Sequence, residues 1–135
     1  MQEEGQLVKV GISTGDLGGI GIEIILKTFE DSRMLELCTP VIFASAKTLS
    51  KQQNHFGMSL KFQGIQQAGE AIPGKLNVVN VWKEHPGVSF GEASETAGRY
   101  AIKSLKAAVQ ALKAGDIDIL VTAPINKKTV QSSDF

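Results

Sequence analysis

Cysteine is all but missing from this chain: Cys38 is the only one among 135 residues. That excludes an internal disulfide and fits a reducing cytoplasm. Its apolar sequence context suits a buried thiol better than a nucleophile. Histidine is nearly as scarce. His55 and His85 stand far apart, with no carboxylate or cysteine at ligand spacing, so neither is expected to hold a metal. Both read as surface residues, and no Ser-His-Asp or Cys-His arrangement can be assembled. Net charge is absent as well, because 14 basic and 14 acidic side chains cancel. Nothing therefore draws the chain to nucleic acid or to a membrane surface. No apolar run approaches the roughly 20 residues that span a bilayer, and Met1-Gln2-Glu3-Glu4 lacks the basic start of a signal peptide. Internal repeats, linkers and low-complexity segments are lacking too. What remains is ordinary for a soluble globular domain, with 42% apolar and 21% charged residues and enough length for a real core.

Glycine, in contrast, is concentrated where it means something. Val10 to Glu23 reads Val-Gly-Ile-Ser-Thr-Gly-Asp-Leu-Gly-Gly-Ile-Gly-Ile-Glu. Leu7 to Ile12 before it suits a buried strand. Ile20, Ile24, Ile25 and Phe29 recur at helical spacing, which predicts a helix from about Ile22. Gly15, Gly18, Gly19 and Gly21 fill the turn between them. Such a turn serves a positive φ or the close approach of a ligand or another backbone, and a helix N-terminus suits an anion. The familiar nucleotide motifs do not fit. No Gly-Lys-Ser/Thr follows, and Ile24 stands where a dinucleotide fingerprint needs its third small residue. Asp16 and Glu23 would oppose a bare phosphate. Alone, the loop says only that something binds or packs closely here, with a tight turn that binds nothing as the lesser alternative.

Further along, Asp31 or Ser32 can cap a short turn through Met34 and Leu37, and Pro40 introduces a strand over Val41 to Ala44. Ser45 is placed to cap a helix carrying Leu49 and Phe56, with Gly57 at its C-terminal stop. Leu60 to Gln63 alternates as a half-exposed strand does, Gln66 to Lys75 reads as loop, and Asn77 to Trp82 is the next strand. His85 to Val88 reads as a turn. A long helix follows, with capping-box spacing at Ser89 to Glu92 and a stop at Gly115. Its buried stripe is expected to be Ala97, Ala101, Leu105, Ala108 and Leu112. Ile117 to Val121 forms the last strand and runs into Thr122-Ala123-Pro124-Ile125-Asn126-Lys127.

Strands that alternate with helices imply parallel crossovers and a doubly wound α/β sheet. Loops after parallel strands share one rim, where ligands of open α/β sheets bind. The glycine loop and the Thr122 to Lys127 segment are thus expected to face the same side. Thr122 could exchange a hydrogen bond with a ligand, Asn126 orient it and Lys127 meet a carboxylate or phosphate. The same residues also read as a capped helix start with solvated lysines.

Taken together, the two segments carry a family resemblance. Gly15 to Ile24 is similar to the Gly-Asp-Pro-Ala-Gly-Ile-Gly-Pro-Glu-Ile opening of the 4-hydroxythreonine-4-phosphate dehydrogenases. Thr122 to Lys127 resembles that family's Thr-Ala-Pro-Ile-Asn-Lys segment, and the spacing and intervening helix agree. Leu17, Gly18 and Ile22 depart from the pattern, altering loop stiffness more than chemistry. The resemblance implies a three-layer, mostly parallel sheet like that of isocitrate and isopropylmalate dehydrogenases, incomplete at its C-terminal end. Residues 1–135 would form a single partial α/β domain, the N-terminal part of a two-domain subunit. It implies an NAD-dependent, metal-assisted enzyme of pyridoxal-phosphate biosynthesis, homodimeric and cytoplasmic, using Zn, Mg or Co. That enzyme oxidises 4-phosphohydroxy-L-threonine, whose keto product loses carbon dioxide to give 3-amino-2-oxopropyl phosphate.

The family's Gly-His-Thr-Glu segment, metal-binding histidines and phosphate-binding residues lie beyond the sequence, which stops at Phe135. No catalytic or metal residue is therefore carried over, and the chain is expected to be inactive alone and to bind no cofactor tightly. Gly15, Asp16, Gly18, Gly21, Thr122, Pro124, Asn126 and Lys127 are expected to line one side of the cleft. A dehydrogenase of a related phosphorylated hydroxy acid, a stand-alone phosphate- or nucleotide-binding module and an assembly fragment remain as alternatives.

Overall fold

A computed structural model of the chain describes residues 7–84, 86 and 95–123. Its centre is strand β2, Cys38–Ala44. Val41 and Phe43 face one way, Ile42 and Ala44 the other, and all four are buried, so the strand is apolar without alternation. Strand β1, Val8–Ser13, runs parallel beside it with Ile12 opposite Ile42. On its other side runs β4, Asn77–Asn80, also parallel, with Val78 opposite Ile42. Strand β3, Gln63–Ile65, flanks β4, and β5, Ile119–Thr122, flanks β1. The sheet is parallel throughout, in the order β3-β4-β2-β1-β5.

Parallel neighbours require crossovers, and the helices supply them. Helix α1, Gly21–Glu30, and the single turn α2, Met34–Leu37, connect β1 to β2. Helix α3, Ala46–His55, follows β2, and α4, Glu95–Ala114, leads into β5. Leu26, Phe29 and Leu49 from α1 and α3 join Ile12, Ile42 and Val78 in a cluster on one face of the sheet. Ala108 and Ala111 of α4 join Val41, Phe43 and Val79 on the other. The result is the three-layer α/β arrangement expected from the alternation of elements.

Several local signals act as read. Ser45 caps α3, its hydroxyl accepting from the Thr48 N–H at 3.4 Å, and Gly57 beyond the helix holds φ 69°. Gly115 follows α4 at φ 81°. Gly11 has a packing reason instead. A Cβ there would collide with Ile117 Cδ1 and lie 3.1 Å from Phe43 Cε2.

Other boundaries move, each for an identifiable reason. The strand expected at Leu60 to Gln63 forms as β3, Gln63–Ile65. The Gln53 carboxamide on α3 takes both the N–H and the carbonyl of Leu60, at 2.8 and 3.1 Å, so the backbone there is already engaged. Pro40 lies inside β2 rather than before it. Its missing N–H falls ahead of the β4 ladder, which starts at Val41 opposite Asn77, and the Asn77 carboxamide donates to its carbonyl. The strand expected from Ile117 begins at Ile119, because Asp118 is held to Lys9 in both directions, N–H to carbonyl and carboxylate to N–H. That leaves Ile117 to fill the layer beneath α4. Strand β4 ends at Asn80, short of Trp82, whose indole N–H instead donates to Thr48 Oγ1 at 3.0 Å. Neither Asp31 nor Ser32 caps the Met34 turn. Arg33 holds the N-cap position, and Asp31 accepts its N–H and pairs with its guanidinium at 2.7 Å.

One helix face differs from its expected stripe, and another leaves part of its apolar spacing in solvent. On α4, Ala97, Ala101 and Ala108 are buried as expected, but Ser104 and Ala111 complete the face, while Leu105 is half-buried and Leu112 is exposed. Small side chains let the helix approach the sheet closely, and leucine fits less well there. On α1, Ile22, Ile25, Leu26 and Phe29 are buried, whereas Ile20 and Ile24 are 61% and 49% exposed. The turn read at His85 to Val88 and the capping box at Ser89 to Glu92 lie outside the described residues, apart from Pro86.

The contact beneath Gly11 yields a direct test. Gly11→Val should destabilise the chain by about 1–3 kcal/mol through overpacking. Gly11→Ala should cost less, since the Ile117 δ-methyl must turn aside and the Phe43 ring give by only a few tenths of an ångström. Urea unfolding of the three proteins measures both; a Gly11→Val chain as stable as the parent would show that the layer has slack.

Candidate functional site

Parallel strands deliver their C-terminal ends to one rim. Ser13, the last residue of β1, pairs with Thr122, the last of β5, and the Ala123 N–H donates to the Ser13 carbonyl at 3.1 Å. The glycine loop and the chain after β5 therefore leave the sheet as neighbours. Of the residues singled out from the sequence, Gly15, Asp16, Gly18, Gly21 and Thr122 are gathered at this rim. Pro124, Asn126 and Lys127 lie outside the described residues.

The loop between β1 and α1 is held from within and from below. Gly15 takes φ 70°, a left-handed backbone that glycine adopts without strain. Asp16 is buried, and its carboxylate accepts from the Gly18 N–H at 2.9 Å while its carbonyl accepts from Gly19 at 3.0 Å. This is an Asx turn, so the carboxylate shapes the loop. Leu17 fills the core at 1% exposure, and its carbonyl is held by the Gln52 carboxamide of α3 at 3.3 Å. The loop then passes through Ile20, the N-cap of α1, which offers no side-chain cap to the helix. In the first turn of α1, Glu23 is drawn along the surface to Lys27 at 2.9 Å. The start of α1 thus has N–H groups without a side-chain cap, the arrangement that favours an anion.

Sequence reasoning missed the group that fixes this rim. The Thr14 N–H donates to Ser104 Oγ at 3.0 Å, and the Ser104 hydroxyl donates to the Phe43 carbonyl. One buried side chain of α4 so joins the ends of β1 and β2. The signal was a hydroxyl on the small-residue face of α4, three residues from Ala101 and four from Ala108. Asn80 plays a similar part at the end of β4, where its carboxamide oxygen accepts the Ala46 N–H at the start of α3. Ser13 Oγ and Gln52 Oε1 are buried without a hydrogen-bond partner among the described residues.

A second polar cluster lies beyond β4. Trp82 and Tyr100 meet edge-on, with centroids 4.8 Å apart. The Tyr100 hydroxyl donates to Glu84 at 2.9 Å, and Lys103 pairs with the same carboxylate at 3.3 Å while lying 4.8 Å from the Tyr100 ring centroid. Its own backbone N–H, then Tyr100 and Lys103, hold the Glu84 carboxyl down to about 2 from 4.5. Burial, helped by the Glu84 contact, raises the Tyr100 phenol. His55 is exposed and meets the edge of Phe56. Among the described residues no group of three or more His, Cys, Asp or Glu could hold a metal, and no helix is long and apolar enough to cross a membrane.

These features define a class: a parallel three-layer α/β domain whose glycine loop and last strand meet at the adjacent ends of β1 and β5. Comparison with known proteins narrows it. The family model described as pyridoxal phosphate biosynthetic protein PdxA matches residues 36–135. A 4-hydroxythreonine-4-phosphate dehydrogenase of Bacteroides thetaiotaomicron is 41% identical over 95% of this chain. A D-threonate 4-phosphate dehydrogenase of Cupriavidus necator is 30% identical over 91% of it. The crystal structure of a 4-hydroxythreonine-4-phosphate dehydrogenase from Burkholderia phymatum superposes with a TM-score of 0.85 at 29% identity over 95% of the chain. The chain belongs to the PdxA family. It spans 35%, 38% and 39% of the lengths of these three relatives, in that order.

Two expectations follow from the site. Ser104→Ala should cost about 1–3 kcal/mol in urea unfolding, because it strands a buried N–H and a buried carbonyl together. A Ser104→Ala chain with parental stability would remove the hydroxyl from its role as a pin. The Glu84 carboxyl is depressed in the folded state, so its contribution is present above about pH 4.5 and is lost as the pH falls toward 2. Thermal unfolding between pH 5 and 2 should accordingly fall less steeply in Glu84→Gln than in the parent; parallel profiles would contradict the assignment.

Proposed function

We propose that this chain is the N-terminal part of an NAD-dependent, metal-assisted dehydrogenase of pyridoxal-phosphate biosynthesis. Its substrate is 4-phosphohydroxy-L-threonine. The substrate's 3-hydroxyl loses its proton and C3 gives a hydride to the nicotinamide. The resulting β-keto acid loses carbon dioxide and leaves 3-amino-2-oxopropyl phosphate. The observation that carries this reading is the 41% identity to the Bacteroides 4-hydroxythreonine-4-phosphate dehydrogenase across 95% of the chain.

Gly15, Asp16, Gly18, Gly21, Thr122, Pro124, Asn126 and Lys127 line one side of the cleft in this proposal. The α1 N-terminus, without a side-chain cap, is the described feature best suited to a phosphate or pyrophosphate oxygen. Glu23, drawn to Lys27, and Asp16, bonded to Gly18, oppose such an anion less than their sequence positions suggest. In this proposal the divalent cation is held by chain beyond residue 135, as the family resemblance implies; among the described residues no group of three or more His, Cys, Asp or Glu could hold it. The polypeptide acts as a cytoplasmic homodimer, and residues 1–135 by themselves do not turn over.

The D-threonate 4-phosphate dehydrogenase of Cupriavidus necator, 30% identical, favours a second reading in which the substrate is another phosphorylated hydroxy acid. The two readings differ in what lies opposite the described rim.

One assay set tests these statements. The 135-residue chain and the longer polypeptide encoded around it are given NAD, a divalent cation (Mg, Zn or Co in turn) and either phosphorylated substrate. NADH should form only with the longer polypeptide, and faster with 4-phosphohydroxy-L-threonine than with D-threonate 4-phosphate. Turnover by the 135-residue chain would overturn its inactivity, and the reverse substrate preference would install the second reading.

A further inference from the structure

One buried side chain is not explained by packing alone. Gln52 lies on α3, one turn beyond Thr48 and Leu49, and is 7% exposed. Its carboxamide nitrogen donates to the Leu17 carbonyl at 3.3 Å, while its carboxamide oxygen is buried with no partner among the described residues. A buried acceptor left unpaired is destabilising, and methionine would fill the same space without one. Net stability therefore does not account for a carboxamide here. What it contributes is a fixed point on the glycine loop. The loop needs such a point, because its Asx turn closes on itself: Asp16 takes the N–H groups of both Gly18 and Gly19. That sets the loop's shape and leaves its tilt to contacts from outside. Gly18 and Gly19 have no side chain to wedge against the body of the domain. Leu17, just ahead of them, has its side chain in the core and its carbonyl on Gln52. Helix α3 is a firm mount for that bond. Its first N–H, on Ala46, is held by the Asn80 carboxamide oxygen at 2.8 Å, and the Trp82 indole donates to Thr48 at 3.0 Å.

We infer that Gln52 is a positioning residue for the rim. By fixing the Leu17 carbonyl it sets the tilt of the glycine loop, and with it the place where the loop and the first turn of α1 meet a phosphoryl oxygen. For that ligand the inference rests on the reading given above, in which the oxygen belongs either to the substrate phosphate or to the cofactor's pyrophosphate. Gln52 acts on it through the loop.

Gln52→Met, made in the longer polypeptide, isolates the bond. It keeps the shape and exchanges one stranded acceptor for another, the carboxamide oxygen for the Leu17 carbonyl. The urea midpoint should therefore stay within about 0.3 M of the parent's. Amide hydrogen exchange over residues 17–23 should quicken about tenfold, while that over residues 41–44 stays within about twofold. The KM for NAD or for the phosphorylated substrate should rise about tenfold at a kcat within about twofold of the parent's, the pattern of lost ground-state binding. The KM that moves identifies whose oxygen the loop meets. Gln52→Glu supplies a rescue, because only its acid form can donate to Leu17. Its exchange over residues 17–23, corrected for the intrinsic rate, should be near parental at about pH 5 and fast at about pH 8, burial raising the carboxyl. Unchanged exchange over residues 17–23 in Gln52→Met overturns the inference, and so does faster exchange with both KM values unmoved. A urea midpoint lower by about 1 M or more, with exchange quickened everywhere, assigns Gln52 to the core and equally overturns it. A parent that forms no NADH with either substrate refutes the proposed reaction instead, and inorganic pyrophosphate becomes the probe. It should slow exchange over residues 17–23 in the parent at about one-tenth of the concentration needed in Gln52→Met. Equal concentrations, or no slowing in the parent, overturn the inference.

Discussion

A single hydroxyl governs the geometry of the rim. Ser104 accepts the Thr14 N–H and donates to the Phe43 carbonyl, so one side chain fixes α4 against the ends of two neighbouring strands. Backbone groups just past a strand end have no ladder partner, and burying them unpaired costs free energy comparable to a lost hydrogen bond. The strands could end under α4 only because the helix brings a polar atom there. Everything nearby inherits its position from that bond. Gly15 begins the loop one residue beyond Thr14, Asp16 closes it, and Leu17 anchors it in the core. A ligand at the α1 N-terminus would meet a loop already set in place, with little ordering cost left to pay at binding.

The layer order was legible in the sequence because it rests on signals that local chemistry enforces. Ser45 and Gly57 mark the ends of α3 by capping rules that hold in almost any tertiary setting. Val41 to Ala44 is apolar on both faces and has few alternatives to a central parallel strand. That the glycine loop and Thr122 share a rim followed from topology, since all parallel strands end on one side; that they are neighbours rests on the pairing of β1 with β5. What could not be read were the competitions between distant groups. Nothing near Leu60 shows that Gln53 will claim both of its backbone groups. Nothing near Ile117 shows that Asp118 will bind Lys9. The exposure of Ile20 and Ile24 was not legible for another reason. Hydrophobic period identifies which side of a helix is apolar, but not whether the surface it meets belongs to the same stretch of chain.

The rim and the family fit together without making the described residues a complete active site. Gly15, Asp16, Gly18 and Gly21 form a stiff, small-residue wall, and Thr122 adds a hydroxyl beside it. In the function proposed above such a wall positions a ligand, and among the described residues no group of three or more His, Cys, Asp or Glu could hold a cation. A protein that spans 35% of its Bacteroides relative's length and carries this wall supplies one side of the cleft in the function proposed above.

The bond between Lys9 and Asp118 links residues 109 apart in sequence. On the ribosome, β1 emerges early and gains β2 soon afterwards, but its other neighbour is among the last described elements to be made. Until residues 119–122 are made, the side of β1 destined for β5 is a bare row of N–H and C=O groups on an apolar strand, the kind of edge that recruits strangers. Closing so long a loop is entropically slow, and parallel pairing of this kind ranks among the slower steps in folding. The order of strands in the sheet therefore sets a vulnerable interval in the life of each new chain, one that ends when α4 and β5 arrive together.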